Sequence, residues 1–572
     1  MSASRGRLDR GEGDLPSSPG LETDVLVVGG GLAGMAAALE AAAAGARVLL
    51  AEAGEGASER AQGGIAAALG EDDSPRQHAL DTLAAGAGLC DPRAVRLLTE
   101  EAPGAVAWLS QLGVPFDRRE GGLALALEAA HSRPRVVHAG GDRSGSAITA
   151  ALRSRLGAIG AVRRVRGELA GLLVHATGVA GARLRPVDAE AGSPGDGETP
   201  TSPVDVRAGA VILASGGYAG LFARTTTSRR CDGLPLVAAL LAGATLADLE
   251  LVQFHPTVYA GPGEPFLVTE ALRGAGATLT DRGGRRFLLD ADPRGELAPR
   301  AVVTRAMVET LARSGERAVF LDARHLGACR LAQEFPGFLA RCRSLGLDPT
   351  REPVPVAPAA HYTMGGIVTD LEGRTGVPGL FAAGECARTG VHGANRLASS
   401  SLLEAVVFGR RAGRAAAEAA SPPPPAGATC REVRAEDTAD VRRLLERCAG
   451  PQRHPEQLRR GLEELGESER DRGTRTLARL VLASALLRAE SRGAHVRTDR
   501  PEADPAWAGL EVGARWTDSG PSLEVRPRRP GRRPGRSSPG TGTLPLEGPG
   551  ERRPQPRPGG DTAGEGSGEG RP

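Results

Sequence analysis

Residues 24–52 read DVLVVGGGLAGMAAALEAAAAGARVLLAE, and the rest of the chain can be placed around them. An apolar run ends at Val28, glycine-rich residues 29–34 follow, an alanine-rich run extends to about Ala44, and a second apolar run ends at Glu52. This order predicts a strand, a tight turn, a helix and a second strand that ends in a carboxylate. A strand–helix–strand unit of this kind indicates a parallel sheet covered by helices.

The glycine spacing in this unit is typical of dinucleotide binding. Gly29 makes the turn, Gly31 lets the backbone approach a pyrophosphate, and Gly34 lets the helix pack closely on the strand. The helix N-terminus then faces the phosphates, while Glu52 can accept a hydrogen bond from a ribose hydroxyl. The motif does not separate FAD from NAD, and the alternative is a glycine turn without a ligand. The cofactor-binding residues predicted in this unit are Gly29, Gly30, Gly31, Leu32, Ala33, Gly34 and Glu52.

Composition limits the class of protein. With 572 residues, 40% of them apolar, the chain is long enough for two or three domains. Its net charge of +2 indicates neither a nucleic-acid partner nor an anionic membrane partner. The 7 cysteines are odd in number and form no CxxC pair, which argues for a reducing compartment and against a metal site. Without a signal-peptide pattern or a membrane-spanning apolar run, we expect a cytoplasmic protein.

Two rare residue types carry information. The chain contains no lysine, which excludes a pyridoxal phosphate Schiff base and a Walker A loop. Asn395 is the only asparagine, and it lies beside His392 and Arg396 in residues 389–404, TGVHGANRLASSSLLE. The serines ahead of the apolar run predict a helix start near Ser401, and a helix N-terminus is also a site for negative charge.

Two further stretches leave their role open. In SERAQGGIAAAL, residues 58–69, the two glycines predict a turn that opens a helix and lets backbone amides reach a flat ring. In EAAHSRPRVVHAGGDRSGSAI, residues 128–148, Glu128 precedes two histidines and two arginines. Such a density of titratable groups fits a solvated strand edge as well as a functional site.

Later motifs place polar side chains at the ends of regular elements. His255 precedes a proline, so we expect it at the end of an extended segment. Arg300 is expected at a helix start, and His361 lies in a proline-rich extended segment ahead of a Gly-Gly turn. Glu385 ends a buried strand, where it can bind a ribose or ribityl hydroxyl.

Several of these motifs, in this order, resemble one group of flavoproteins. The group includes succinate dehydrogenase, fumarate reductase and L-aspartate oxidase, and the chain is most similar to the L-aspartate oxidases. The resemblance covers residues 24–420 and continues weakly in ESRGAHVRTD, residues 490–499. The motifs that carry it are AQGGIAAAL, HSRPRVVHAGGDRSG, QFHPT, TEALRG, ELAPR, PAAHYTMGGI and TGVHGANRLASSSLLE.

The resemblance implies an α/β fold with a Rossmann-like FAD-binding domain formed by residues 21–246 and 355–420. An α+β capping domain, 247–354, is inserted in it, and a C-terminal helical bundle covers 428–517. Residues 1–20 and the Pro/Gly/Arg-rich residues 518–572 are expected to be disordered. Succinate dehydrogenases attach FAD to a histidine five residues before the glutamine of AQGG. That position is Ala57 here, so the resemblance implies non-covalent FAD.

The resemblance also implies a role for each site residue. Arg300 and Arg396 bind the two carboxylates of L-aspartate, and Glu128 binds its ammonium group. The family assigns proton transfer to Arg300, but a guanidinium keeps its proton at ordinary pH, so we favour an electrostatic role. The implied catalytic and substrate-binding residues are Glu128, His255, Thr269, Arg300, His361 and Arg396. The further FAD-binding residues are Ser58, Ala61, Gln62, Gly63, Gly64, Asp232, Glu385, Asn395, Ser401 and Leu402.

The implied reaction is oxidation of L-aspartate to iminoaspartate, with oxygen or fumarate as acceptor and possible channelling of the product to quinolinate synthase. Three hypotheses stay open: an L-aspartate oxidase, a soluble fumarate reductase, and a diverged flavoprotein without activity. The chain departs from the family at Ala129 and Ala130, where glycines are usual, and at Ala301, where an aspartate is usual.

Overall fold

The computed structural model describes residues 21–187, 199–422, 427–434, 438–466, 472–528 and 544–545. Several predictions fall outside these ranges: the disordered tail 1–20, most of the surface loop within 191–204, the four residues 423–426 of the proline-rich linker, and nearly all of the tail beyond 528.

The largest sheet has eight strands and contains the glycine-rich unit. Leu21–Val28 lies in its middle and pairs in parallel with Val48–Glu52 and with Val204–Leu213. The predicted strand–helix–strand unit is thereby confirmed, because the helix Leu32–Ala43 connects the first two strands. From edge to edge the strands are Thr429–Glu432, Glu168–His175, Gly178–Arg185, Val204–Leu213, Leu21–Val28, Val48–Glu52 and Val162–Arg166, with Leu380–Ala382 pairing with Val204–Leu213.

Two helices cross this sheet in close contact. A Cβ at Gly409 would lie 2.5 Å from the Ala33 carbonyl oxygen, and one at Gly413 would lie 2.3 Å from the Ala37 carbonyl oxygen. Small residues on both helices therefore let the backbones of Leu32–Ala43 and Ser401–Ala419 approach each other. This packing fixes the N-terminus of the second helix against the glycine-rich turn.

The inserted region has its own antiparallel sheet and its own apolar core. Its strand Val252–Tyr259 pairs with Val354–Thr363, which returns the chain to the large sheet region. His255 is extended, as predicted, but it lies inside the first of these strands instead of at its end. The four strands in order are Val252–Tyr259, Val354–Thr363, Val319–Asp322 and Thr278–Thr280.

The C-terminal region contains the predicted helices and an unpredicted hairpin. Leu510–Thr517 pairs with Gly520–Pro527, and the hairpin joins a third sheet through Leu246–Ala247. The prediction of disorder from residue 518 is therefore wrong for this strand. Leu523 is buried, and the arginines that made the segment look like a tail pair with buried carboxylates, as Arg528 does with Asp248 at 2.6 Å.

A second correction concerns residues 58–69. The turn at Gly63 and Gly64 leads into the short strand Ile65–Ala66, which pairs with Val136–Val137, and no helix follows. A Cβ at Gly64 would lie 2.1 Å from the Val137 carbonyl oxygen, so the glycine serves close strand pairing.

The other elements complete the fold. The α-helices are Leu32–Ala43, Pro75–Ala85, Pro92–Gln111, Ser144–Gly157, Leu234–Leu241, Ala271–Gly274, Arg300–Ser314, Ala328–Glu334, Pro336–Ser344, Ser401–Ala419, Ala439–Cys448, Pro455–Leu465 and Thr474–Leu487. Short 3₁₀ helices are Ala219–Leu221, Phe287–Asp290, Gly295–Leu297, Arg324–Leu326, Gly384–Cys386 and Pro505–Trp507. The remaining strands are Arg118–Arg119, Gly122–Leu123, Leu125–Ala126, Gly366–Val368, Ala387–Arg388 and Leu544–Pro545. No helix among the described residues has the length and apolar character needed to cross a membrane.

Candidate active site

A cavity of about 440 Å³ opens at the carboxyl ends of the parallel strands. The glycine-rich turn forms one wall, the loop that holds Asp232 forms another, and the N-terminus of Ser401–Ala419 closes one end. This is the edge at which sheets of this kind bind nucleotides. The predicted cofactor-binding residues that line the cavity are Gly29, Gly30, Gly31, Leu32, Ala33, Ser58, Ala61, Asp232, Glu385, Ser401 and Leu402.

The glycine-rich turn has the geometry that the spacing predicted. Gly29 has φ +122°, and a Cβ there would lie 2.2 Å from the Ala214 carbonyl oxygen. A Cβ at Gly34 would lie 1.8 Å from the Gly29 carbonyl oxygen, whereas one at Gly31 would meet only the Ser58 hydroxyl at 3.4 Å. The backbone at Gly31 is therefore open toward the cavity, as a pyrophosphate requires.

Two predicted cofactor ligands engage protein groups. The Glu52 carboxylate accepts a hydrogen bond from Arg164 at 2.9 Å. The Asn395 side chain accepts from Gln253 Nε2 at 2.9 Å and donates to the Ala85 carbonyl oxygen at 3.2 Å. Asn395 thus holds a neighbouring side chain in place and does not line the cavity.

The segment at Gln62–Gly64 lies beside the cavity wall. Oε1 of Gln62 is buried and has no hydrogen-bond partner in the part of the chain that the structure describes. A Cβ at Gly63 would lie 3.3 Å from the Ser399 hydroxyl oxygen. A bound ring system with hydrogen-bonding edges would satisfy the orphaned amide oxygen, so this segment fits a flavin.

Two half-buried carboxyl groups, Glu385 and Asp232, line the cavity. Burial raises the pKa of Glu385 to about 7 and that of Asp232 to about 6. Glu385 accepts hydrogen bonds from the backbone N–H and the hydroxyl of Thr363, at 3.0 and 3.1 Å. Each group is placed to accept a hydrogen bond from a ligand hydroxyl or amide in the cavity.

Beyond the helix end of the cavity lies an arginine–histidine cluster, formed by Gln253, His255, Glu270, Arg300, His361 and Arg396. Gln253 Oε1 accepts from Arg300 Nη1 and from Arg396 Nε, each at 3.2 Å, so one amide oxygen holds both guanidinium groups. Nε of Arg300 donates to Oε2 of Glu270. The other carboxylate oxygen of Glu270 accepts from Nη2 of Arg273 at 2.7 Å. Arg300 begins the helix Arg300–Ser314, as predicted.

The two histidines of the cluster are neutral. Their rings lie edge to face with 5.1 Å between centroids. Burial, followed by the charge of Arg300, holds the pKa of His255 well below its usual value. Burial also lowers the pKa of His361, whose Nε2 is 3.2 Å from Arg396 Nη2 and whose Nδ1 is 2.7 Å from the Thr226 hydroxyl. Thr269 is buried, and its hydroxyl accepts from the N–H of Ala271 at 3.3 Å.

Glu128 lies in a buried position rather than at a solvated edge. Its carboxylate accepts a hydrogen bond from the Ser399 hydroxyl at 2.7 Å and lies 3.4 Å from His138 Nε2. Burial would raise the pKa of Glu128, but the hydrogen bonds and the charge of His138 lower it below its usual value. Burial lowers the pKa of Arg396, and the negative charge of Glu128 acts in the opposite direction. The two groups are therefore close enough to interact electrostatically.

The solvated-edge reading of residues 128–148 is therefore wrong for its central members. Arg135 is fully buried and pairs with Asp73 at 2.8 Å and Asp81 at 2.5 Å. Arg133 pairs with Asp72 at 3.5 Å. Neither arginine is the partner of Glu128.

Sequence reasoning missed two members of the cluster, Gln253 and Glu270. Both lie inside quoted motifs, QFHPT and TEALRG. Gln253 is two residues before His255 on one strand, and this spacing places both side chains on the same face. Glu270 directly follows Thr269, but nothing in the sequence shows that it pairs with Arg300.

Comparison with known proteins agrees with this geometry. The family model described as FAD binding domain matches residues 24–402, and the one described as fumarate reductase flavoprotein C-term matches residues 470–531. The L-aspartate oxidase of Caulobacter vibrioides is 46% identical over 493 residues, which are 84% of this chain and 94% of that protein. That of Streptomyces coelicolor is 43% identical, with 85% and 90% covered.

Solved structures show the same architecture. A mutant of the E. coli quinol fumarate reductase FrdA superposes with a TM-score of 0.79 and 29% identity, covering 90% of this chain and 98% of that one. The Mycobacterium smegmatis Sdh1 complex gives a TM-score of 0.76 at 28% identity, covering 90% of this chain and 95% of that one. FAD is the cofactor, and the chain belongs to the L-aspartate oxidase family of flavoproteins.

Proposed function

We propose that this protein oxidises L-aspartate to iminoaspartate, with oxygen or fumarate as electron acceptor, as the first step of NAD biosynthesis through quinolinate. The observation that carries the proposal is the position of Glu128, whose side chain is 7% exposed and which lies close enough to the arginine–histidine cluster to act on the charge of Arg396. L-Aspartate carries two carboxylates and one ammonium group. The site supplies the guanidinium groups of Arg300 and Arg396, held together by Gln253, for the former and the carboxylate of Glu128 for the latter.

The charges of the site match this substrate. Arg273, Arg300 and Arg396 bring three positive charges, and Glu128 and Glu270 bring two negative ones. The two carboxylates of L-aspartate correspond to the guanidinium groups of Arg300 and Arg396, and its ammonium group corresponds to the Glu128 carboxylate. Fumarate carries two negative charges and lacks the group that Glu128 would bind, so it is expected to bind less well.

The residues of the cluster then position the substrate. Arg396 and Arg300 bind the carboxylates as planar donors. Neutral His255 and His361 add hydrogen bonds without adding charge, and Thr269 adds a hydroxyl. Burial of Gln253, His255, Thr269, Glu270 and Arg396 limits the access of water and strengthens these interactions.

The cavity residues would hold FAD non-covalently, through the turn at Gly29–Gly34, Asp232, Glu385 and the N-terminus of Ser401–Ala419. Bound FAD supplies a two-electron acceptor for the hydride that leaves Cα of L-aspartate. Ser401 and Leu402 begin the helix whose positive end faces the cavity. That end would stabilise negative charge developing near it.

Two finer points belong to the same proposal. The protein acts in the cytoplasm, which the odd number of free cysteines supports. Iminoaspartate is an imine that water hydrolyses, and direct transfer to a quinolinate synthase would limit this loss.

The test is purification of the protein, a visible spectrum, and a hydrogen peroxide assay with L-aspartate. We expect flavin absorbance bands and peroxide formation with L-aspartate but not with D-aspartate. Fumarate reduction without any L-aspartate oxidation would favour a fumarate reductase, and bound flavin without either reaction would favour an inactive scaffold.

A further inference from the structure

We propose that Ser399 and His138 are positioning residues that hold the Glu128 carboxylate between them, and thereby set the preference for a dicarboxylate that carries an ammonium group. This inference rests on the proposed function, because it concerns the same substrate. It assigns roles to two side chains that lie outside the arginine–histidine cluster and contact Glu128.

The two side chains engage opposite oxygens of one carboxylate. The Ser399 hydroxyl donates to Glu128 Oε2 at 2.7 Å, and His138 Nε2 lies 3.4 Å from Glu128 Oε1. The Glu128 side chain is 7% exposed, and that of His138 is 17% exposed. Each carboxylate oxygen accepts more than one hydrogen bond, so lone pairs remain for an ammonium group.

The hydrogen bonds from Ser399 and His138 offset the cost of burying the charged form of Glu128. A buried carboxylate tends to take up a proton, since burial disfavours its charged form. The charge of Glu270 acts in the same direction on Glu128. A protonated Glu128 could not attract an ammonium group, so the hydrogen bonds from Ser399 and His138 decide whether the residue can serve that purpose.

The backbone at Ser399 is strained in the conformation that makes this contact. Its φ is +56°, a left-handed conformation that costs free energy in a residue with a side chain. Its carbonyl oxygen accepts from the N–H of Ala66 at 3.0 Å, and Gly63 leaves space beside its hydroxyl. Gly63 and Ala66 of the motif AQGGIAAAL thus contribute to holding Ser399 in an unfavourable conformation.

The chain also links this contact to the rest of the site. Ser399 lies three residues after Arg396 and two residues before Ser401, which begins the helix facing the cavity. One short segment therefore carries a carboxylate-binding arginine, the donor to Glu128 and the cofactor-facing helix end. A shift of Glu128 relative to Arg396 is resisted by this shared backbone.

His138 reaches Glu128 from the other side. It follows the buried strand Val136–Val137, which pairs with Ile65–Ala66 on one side and Leu125–Ala126 on the other. Its carbonyl oxygen accepts from the N–H of Asp117 at 2.8 Å. The backbone at His138 is thus fixed by groups other than Glu128, so its side chain can be changed without removing the strand contacts.

The experiment compares Ser399→Ala, His138→Ala and His138→Gln in the FAD-loaded enzyme. For each variant, kcat and KM are measured for L-aspartate oxidation and for fumarate reduction. Ser400→Ala is the matched control, because among the described residues the Ser400 hydroxyl hydrogen-bonds to the Ala398 carbonyl oxygen alone, at 3.4 Å. The flavin spectrum reports whether each variant keeps its cofactor.

We expect kcat/KM for L-aspartate to fall at least tenfold in Ser399→Ala and His138→Ala, mainly through KM, with fumarate reduction changed less than threefold. His138→Gln retains a donor and should recover part of the loss. Equal losses in both reactions, or no loss in the two His138 variants, would overturn the proposal. A wild-type enzyme that reduces fumarate but does not oxidise L-aspartate would instead overturn the proposed function.

Discussion

The guanidinium group of Arg396 lies over the ring of Tyr362, with 5.1 Å between Cζ and the ring centroid. The Tyr362 hydroxyl donates to the buried Glu404 carboxylate at 2.6 Å. Glu404 in turn accepts from Thr389 at 2.5 Å and lies 2.9 Å from His392 Nε2. The Tyr362 ring therefore packs against the guanidinium group of Arg396, and a hydrogen-bond network fixes the position of this ring.

This support matters because the arginine is costly to bury. Burial, followed by the charge of Arg300, lowers the pKa of Arg396 to about 10. The group remains a cation at neutral pH, and a substrate carboxylate would compensate its burial. Arg396→Leu is thus expected to reduce kcat/KM at least a hundredfold, about 2.7 kcal/mol, for L-aspartate oxidation and for fumarate reduction alike.

Steady-state kinetics with both substrates measure this effect. Arg443→Leu is a suitable control, since the Arg443 side chain is 69% exposed and pairs with Asp440 three residues away. A loss smaller than about tenfold, or about 1.4 kcal/mol, with Arg396→Leu would place the residue outside the site.

The attachment of FAD can be checked without mutation. Ala57 lines the cavity at the position where the resemblance places the flavin-linking histidine of succinate dehydrogenases. An alanine side chain offers no nucleophile, so we expect acid precipitation to release the yellow cofactor into the supernatant. Flavin that remained in the protein pellet would contradict a non-covalent cofactor.

Ala130 carries a strain that glycine would relieve. Its φ is +67°, and its side chain is exposed, so replacement by glycine loses little packing. The left-handed conformation costs a residue with a Cβ about 1–2 kcal/mol. Glycine costs about 0.5–1 kcal/mol because the unfolded chain gains conformational entropy. The difference predicts that Ala130→Gly stabilises the protein by about 0.5–1 kcal/mol.

Urea unfolding of the wild type and the variant measures the change. Ala107→Gly, at an exposed position in the helix Pro92–Gln111, is the control with the opposite expected sign, a loss of about 1 kcal/mol. Destabilisation by both substitutions would show that Ala130 is not strained in solution.

Glu385 should make the FAD-free protein sensitive to pH. Burial raises the pKa of this carboxyl group from an ordinary 4.5 to about 7. Between these values the folded state binds a proton that the unfolded chain releases, so the contribution of Glu385 to stability is lost as the pH rises. Relative to Glu385→Gln, the free energy of unfolding of the wild type should fall from pH 5 to pH 7.

Chemical denaturation of both proteins at pH 5, 6 and 7 gives the comparison. A constant difference between the two proteins across this range would mean that Glu385 titrates as in the unfolded chain.

Much of the nucleotide-binding region follows from local sequence. The turn at Gly29–Gly34 was predictable because glycine is required where φ is positive or where backbones come within van der Waals contact. The helix start at Ser401 was predictable for a similar local reason. The disorder expected from residue 518 was wrong for the strand Gly520–Pro527, because composition does not show that Arg528 reaches the buried Asp248.

The arginine–histidine cluster was harder to predict because its contacts are non-local. Gln253 and Arg396 are far apart in sequence, yet one amide joins them. The resemblance to a family named Glu128 and Arg396, but not the pairing of Glu128 with Ser399 and His138. Such pairings depend on how the short strands near Ile65–Ala66 pack. No periodic pattern in the sequence predicts that packing.

Glu128 separates the two reactions that the site could perform. L-Aspartate and fumarate share both carboxylates, and only L-aspartate has the ammonium group. Glu128→Gln keeps the shape and an acceptor for Ser399 but removes the charge. Because a charge-assisted hydrogen bond contributes about 1.5–3 kcal/mol, L-aspartate oxidation should fall roughly ten- to a hundredfold. Fumarate reduction should hold or improve, since a dianion no longer meets a carboxylate. Kinetics of both reactions with one enzyme preparation give the ratio, and equal losses would reject the ammonium-binding role.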